Sequence, residues 1–309
     1  MFGKSGVPNI DFMGQRKVAL AISTVLFVVS LTSLAVRGLN FGIDFTGGTV
    51  IEMGYPQPVD LSHVRAALAE GGVGGAVVQR FGTSRDVLIR IPPQEATSAE
   101  LSTRVEELLT QASKDNVPQL RRVEFVGPQV GGELIEAGGL AMLLVLVGIL
   151  VYIGLRFEFR FALGAVLATV HDPVVILGIF SLFQLDFDLT VLAAVLAVIG
   201  YSVNDTIVVF DRIRENFRKM RKGTPVEIVN ASVNQTLTRS LMTSFTTLLV
   251  VLALYFFGGE IIHGFALALI IGIVVGTYSS IYVASASALM LGVSRADLMP
   301  VKKEGAEQP

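Results

Sequence analysis

The chain has 309 residues, 52% of them hydrophobic and only 16% charged, with a mean hydropathy of +0.64. Soluble domains carry roughly 25% charged residues, so the composition places much of this chain in a lipid bilayer. A net charge of −2 argues against a nucleic-acid partner, and the absence of cysteine excludes disulfides and thiolate metal sites.

Six apolar runs come up to the length that a helix needs to cross a hydrocarbon core, about 20 residues. They are Val18–Val36, Gly138–Leu155, Phe161–Phe183, Leu189–Phe210, Leu241–Phe257 and Gly264–Leu291. Lysine and arginine fall on alternate connections. Lys4, Arg16 and Lys17 precede the first run, and Arg156 and Arg160 separate the second from the third. Six basic residues between Arg212 and Lys222 follow the fourth, and Arg295, Lys302 and Lys303 follow the sixth. The short connections Gln184–Asp188 and Gly258–His263 carry neither lysine nor arginine. Basic residues mark cytoplasmic loops, so both termini are expected in the cytoplasm. The first run resembles a signal peptide only loosely; its apolar stretch is too long for an ordinary one, and a retained helix is the expectation.

The resulting division is a cytoplasmic N-terminus at 1–17, a first span at 18–36 and a periplasmic domain at 37–137. A five-span bundle at 138–291 and a cytoplasmic tail at 292–309 complete it. A cytoplasmic amphipathic loop is expected at about 211–238, where Thr224-Pro-Val-Glu227 forms a capping box with proline at the first helical position and starts an amphipathic helix that runs along the cytoplasmic face into the fifth span.

Within the periplasmic block the pattern reads strand, helix, strand, strand, helix, strand. Thr49–Gly54 alternates and is rich in β-branched residues. Asp60 caps a helix with Leu61, Val64, Ala67 and Leu68 on one face, ended by Gly71-Gly72. Ala76–Phe81 and Val87–Ile91 form a hairpin, Thr97 or Ser98 opens a second helix, and Arg122–Val126 is the last strand. That order predicts a ferredoxin-like α+β domain whose sheet has one face open to a partner. No nucleophile, phosphate loop or metal cluster accompanies it; no cofactor, metal or enzymatic activity is expected.

Polar residues inside the apolar runs are the functional candidates, because a carboxylate in hydrocarbon costs roughly 2.5–3.5 kcal/mol on insertion scales. Asn204 and Asp205 lie in the fourth run. Asp205 reads as a titrating or charge-paired switch in preference to a carboxylate at the headgroup boundary. Arg239 enters the fifth run from the same side and is either its counter-ion or an arginine snorkelling to the surface. His171-Asp172-Pro173 in the third run is a relay or a satisfied interhelical contact. Gly272 and Gly276 in the sixth run predict close helix packing. Asp186 and Asp188 read as a solvated turn.

Val203-Asn-Asp-Thr-Ile-Val-Val-Phe-Asp-Arg-Ile-Arg-Glu-Asn216 resembles the fourth-span signature of the SecF family of bacterial protein-export membrane proteins. Phe41-Gly-Ile-Asp-Phe-Thr-Gly-Gly-Thr49 and the Arg239 segment resemble that family's motifs after span one and in span five, and the resemblance covers nearly the whole chain. It implies a polytopic α-helical membrane protein with six transmembrane helices of resistance-nodulation-division (RND) type and one small ferredoxin-like extracytoplasmic domain. It also implies pairing with SecD in the bacterial inner membrane and assistance to the SecYEG channel, with YidC- or YajC-type accessory proteins, in moving an exported polypeptide. The proton-motive force would drive that step, with proton coupling carried by Asp205 and Arg239 and less firmly by His171 and Asp172. Some relatives couple to sodium, and no residue here decides the ion. Two other functions stand beside this one: an RND-type small-molecule efflux component, and a passive scaffold of the translocon.

Overall fold

The computed structural model describes residues 9–73, 75–157, 159–220 and 222–293. The expected basic residues Lys4, Arg221, Arg295, Lys302 and Lys303, and with them 1–8 and 294–309 of the two cytoplasmic segments, lie outside the described residues. Among the described residues, six helices are long and apolar enough to cross a bilayer. They are α1 (Arg16–Arg37), α5 (Pro128–Arg156), α6 (Phe159–Phe183), α7 (Leu189–Lys219), α8 (Pro225–Phe257) and a last unit from His263 to Met290. That last unit comprises α9 (His263–Ser279), a π-helical segment (Ser280–Ala284) and α10 (Ser285–Met290).

Lipid tails are as apolar as leucine, so such helices associate through small residues and interhelical hydrogen bonds. The chain follows that rule. Along α1 the fully covered residues are Ala19, Ser23, Ser30 and Ser33, while Val18, Val25 and Val28 are exposed. Ser33 shares a 2.9 Å hydrogen bond with Ser181 of α6, and Gly178 lies directly against Ser30. As expected from the sequence, Gly272 and Gly276 bring α9 onto α7, facing Val198 and Ser202.

Two helices outrun the apolar stretches that announced them. The α7 helix continues past Phe210 to Lys219, and α8 runs unbroken from Pro225 into the fifth span, with the Thr224–Glu227 capping box formed. The 211–238 segment is therefore mostly helix, with the part from Pro225 following from the capping box, because backbone hydrogen bonds propagate wherever no breaker intervenes. The α5 helix likewise starts at Pro128, ten residues before the apolar run.

Between α1 and α5 lies a mixed α+β domain, with a four-stranded antiparallel sheet in the order β3-β4-β2-β5. Its strands are β2 (Gly48–Gly54), β3 (Val77–Arg80), β4 (Asp86–Ile91) and β5 (Gln119–Val126). Helices α3 (Leu61–Glu70) and α4 (Ser98–Ala112) cover one face, over Ile51, Met53, Val87, Ile89 and Ile91. Each such side chain, fully buried, contributes about 1.5–3 kcal/mol. Asp60 caps α3 and Thr97 caps α4 with a complete capping box. Backbone N–H donors at Ser62 and Thr97 hold the Asp60 and Glu100 carboxyls below their ordinary pKa values.

A feature without a periodic signal joins this domain to the bundle. Asn40–Phe41 (β1) pairs in parallel with Asp186–Phe187 (β6), and Ile43–Thr46 (α2) follows. Phe41, Phe45 and Phe187 cluster, with ring centroids 5.6–6.0 Å apart. Gly47 and Gly48 take φ of 70° and 120°, conformations open to glycine, and turn the chain into β2.

Candidate functional site in the helix bundle

The most deeply covered carboxylate is Asp172, midway along α6 and 0% exposed. Its Oδ1 lies 2.9 Å from His171 Nδ1. Its Oδ2 accepts two hydroxyl hydrogen bonds, from Ser202 of α7 at 2.5 Å and from Ser279 of α9 at 2.8 Å. Three helices thereby converge on one carboxylate. His171 stacks on Phe27 of α1, with centroids 6.3 Å apart, and its Nε2 is buried without a hydrogen-bond partner.

One turn beyond Ser202, Asp205 is 8% exposed, and Ser240 of α8 donates to its Oδ1 at 2.5 Å. Its Oδ2 is buried and unpartnered. The extension of α7 to Lys219 puts Asp205 near the middle of that helix, well away from its end. Two further hydroxyls bond beside these carboxylates. Ser280 donates to the Ser202 carbonyl at 3.3 Å and shares a 2.9 Å hydrogen bond with Thr206, the neighbour of Asp205. Ser280 opens the π-helical segment, a rare geometry that recurs at functional sites. Adjacent Ser279 and Ser280 are both fully buried and serve different partners.

Arg239 does not sit where the counter-ion reading placed it. It forms no ion pair with Asp205 among the described residues; Ser240, the next residue, takes the facing position. One residue turns an α-helix by about 100°, which leaves Arg239 on the exposed side of α8. There it lines a vestibule with Asn204, itself exposed. His171 and Asp172 are brought together; Asn204 and Arg239 border the site from outside. The serines that bind the two carboxylates, Ser202 and Ser279 at Asp172 and Ser240 at Asp205, were not singled out from sequence. Their signal was polar residues in apolar runs at one-turn spacing, as in Ser202 before Asp205.

Asp186 and Asp188 correct the solvated-turn reading. Asp188 caps α7 by accepting from Val191 N at 2.8 Å, and Asp44 accepts from Leu189 N at 3.0 Å. Asp186 accepts from Asn40 at 2.7 Å and from Gln79 of β3 at 2.9 Å, and pairs with Arg90 of β4 at 3.1 Å. The polar face of the outer sheet is therefore held to the α6–α7 connection, above a cleft of about 460 Å³. Among the described residues no three histidine, aspartate or glutamate side chains converge on a metal position.

Six apolar helices, an α+β domain and carboxylates buried among the helices define a multi-pass helical membrane protein. Residues 104–294 match the model of the C-terminal region of the SecD/SecF protein-export membrane proteins, and residues 32–59 match the SecD/SecF GG motif. The chain is 54% identical to the protein translocase subunit SecF of Vibrio alginolyticus, covering 97% of this chain and 96% of that one. It is 53% identical to the SecF of Pseudomonas aeruginosa over 95% of each chain. The chain belongs to the SecF family, within the SecD/SecF proteins of the RND superfamily. Its structure superposes on SecDF, a translocon-associated membrane protein from Thermus thermophilus, with a TM-score of 0.82 and 39% identity. The match covers 92% of this chain and 38% of that longer one. A super-membrane-facing form of SecDF gives a TM-score of 0.69.

Proposed function

We propose that this chain is the SecF subunit of a SecD–SecF complex in the bacterial inner membrane, with both termini cytoplasmic. In this reading it assists export of polypeptides through SecYEG, with YidC- or YajC-type accessory proteins alongside. Proton movement through the bundle drives motion of the outer domain, whose β-α-β-β-α-β order and sheet order suit a ferredoxin-like fold. The names of its relatives support the export role. The observation that carries the coupling is the bonding of Asp172 and Asp205 to hydroxyls. A serine hydroxyl donates to an ionised carboxylate and accepts from a protonated one, whereas an arginine can only donate. A site of this kind accommodates both protonation states without rebuilding its shell. The unpartnered Asp205 Oδ2 gives a proton a place to bind. Arg239 adjusts the field around it, and Asn204 marks the approach from the vestibule. One charge crossing the full potential provides about 2.3 kcal/mol per 100 mV, enough to shift a two-state domain equilibrium by more than tenfold.

The test is export into vesicles containing the assembled complex, driven by a proton gradient or by a sodium gradient, with wild type and Asp205→Asn compared. Proton coupling predicts an assembled Asp205→Asn complex without gradient-dependent export. Failure of the complex to assemble would favour the scaffold reading. Export by Asp205→Asn at the wild-type rate would refute a coupling role for this carboxylate.

A further inference from the structure

The segment Phe41–Thr49, which lies in the GG motif, has no part in the carboxylate site, yet it covers the outer mouth of the bundle. Between Asp172 and the cleft under the outer sheet lies an apolar layer. Ile176 and Phe180 of α6, Val191, Val195 and Val198 of α7 and Ala268 of α9 form it, each 0% exposed. Ile176 stands about one turn outward of Asp172, and Val198 about one turn outward of Ser202. Packed interiors hold few voids as large as a water molecule, so this layer closes the carboxylates off from the side that the α+β domain occupies. Phe45 of α2 is the buried side chain that the 40–48 segment adds to the layer, stacked on Phe187 with centroids 5.6 Å apart.

The contacts that hold Phe45 come from separate parts of the molecule. Gly42 N donates to the Phe187 carbonyl at 2.8 Å, and Asp44 accepts from Leu189 N, the first residue of α7, at 3.0 Å. Gly131 of α5 lies directly on the Phe45 and Gly47 backbone, an approach that a Cβ would prevent. Gly48 lies just as closely on the Ile91 carbonyl of β4, so the turn into β2 is packed and has little slack. The α2 segment therefore joins α5, α7 and the outer sheet, and only Thr46 and Gly47 separate Phe45 from β2. A displacement of the sheet away from the bundle pulls directly on Phe45.

We propose that Phe45 is the outer gate of the bundle. With the sheet docked it completes the apolar seal; withdrawal of β2 carries it off the layer and admits water from the cleft toward Asp172. The inference rests on the coupling reading above and adds the part that ties proton access to the position of the outer domain. A path open to both sides at once would drain the gradient without moving anything.

The chain has no cysteine, so a single introduced thiol reports on the seal. Val195→Cys is placed in the full chain, in right-side-out vesicles holding the assembled complex. Its reaction with a membrane-impermeant thiosulfonate added outside is followed by gel shift. With Phe45 in place the thiol should stay protected. Phe45→Ala should speed its labelling about tenfold or more, and Phe45→Leu, which keeps an apolar side chain there, should restore most of the protection. Ala165→Cys, buried toward the other end of α6, should stay protected in Phe45→Ala. Unchanged protection of Val195→Cys in Phe45→Ala, or equal exposure of Ala165→Cys, would overturn the gate. Labelling needs no export, so the gate can fail while Asp205→Asn still abolishes coupling, and the coupling reading can fail while the gate holds. Should Phe45→Ala not fold, Asp44→Ala, which frees α2 from Leu189, is expected to expose Val195→Cys, and wild-type protection there would overturn the proposal.

Discussion

Replacing Asp186 by asparagine is expected to loosen the outer sheet from the helix bundle. The native carboxylate takes hydrogen bonds from Asn40 and Gln79 and an ion pair from Arg90, from three separate strands. Asparagine keeps one acceptor oxygen for Asn40. Its amide nitrogen then faces the Gln79 amide and the Arg90 guanidinium, donor against donor. Hydrogen bonds to a charged group are worth about 1.5–3 kcal/mol each. The Asp186 side chain is 37% exposed, so the ion-pair part adds at most about 1 kcal/mol. The net loss is about 2 kcal/mol, or roughly 30-fold in the ratio of docked to released sheet. Spin labels at Ser84 and Phe183, read by double electron–electron resonance, would report a second, longer distance in Asp186→Asn. An Arg90→Gln/Asp186→Asn double-mutant cycle should show coupling of about 1 kcal/mol. A distance distribution unchanged from wild type, with the two substitutions strictly additive, would refute the argument that Asp186 docks the domain.

Two further predictions concern packing and pH. In Gly272→Ala the new methyl would overlap the Val198 side chain, a β-branched residue with little rotamer freedom in a helix. The variant should lose about 1–3 kcal/mol, read as a lower melting temperature in detergent; an unchanged melting temperature would mean α7 and α9 are not held at this contact. Burial pushes the Tyr55 phenol up to about 12, and its hydroxyl has no hydrogen-bond partner. Because the folded pKa lies above the ordinary value of 10.0, the stability linked to it is fully present below about pH 10 and is lost as pH rises through about 12. Tyr55→Phe should remove that dependence and raise stability by about 1 kcal/mol at neutral pH, measured by urea titration followed by circular dichroism. A steeper alkaline loss in Tyr55→Phe would contradict the assignment.

The six spans, the outer domain and most of its strands were legible because burial in lipid or in a one-sided sheet leaves a periodic or continuous apolar trace. Both helix caps in the outer domain and the Thr224 box were legible for a local reason: the capping residue and its donors lie within one turn. Asp172, His171, Asn204, Asp205 and Arg239 were visible as candidates because a polar group in hydrocarbon is costly wherever it sits.

What those groups touch was not local. Ser240 and Arg239 are neighbours in sequence, and one step of helical rotation decides which of them meets Asp205. The meeting of Ser202 and Ser279 at Asp172 depends on how α6, α7 and α9 are packed, which Gly272 and Gly276 permit but do not announce. Asp186 looked like a turn residue until Gln79 and Arg90, remote in sequence, were folded over it. Composition and period determined by themselves that the chain crosses a membrane and carries charge inside it, since both follow from the cost of exposing a group to the wrong solvent. Only the tertiary structure decided which hydroxyls share that charge, because a hydrogen bond depends on distances of a few ångströms between helices that the sequence does not order.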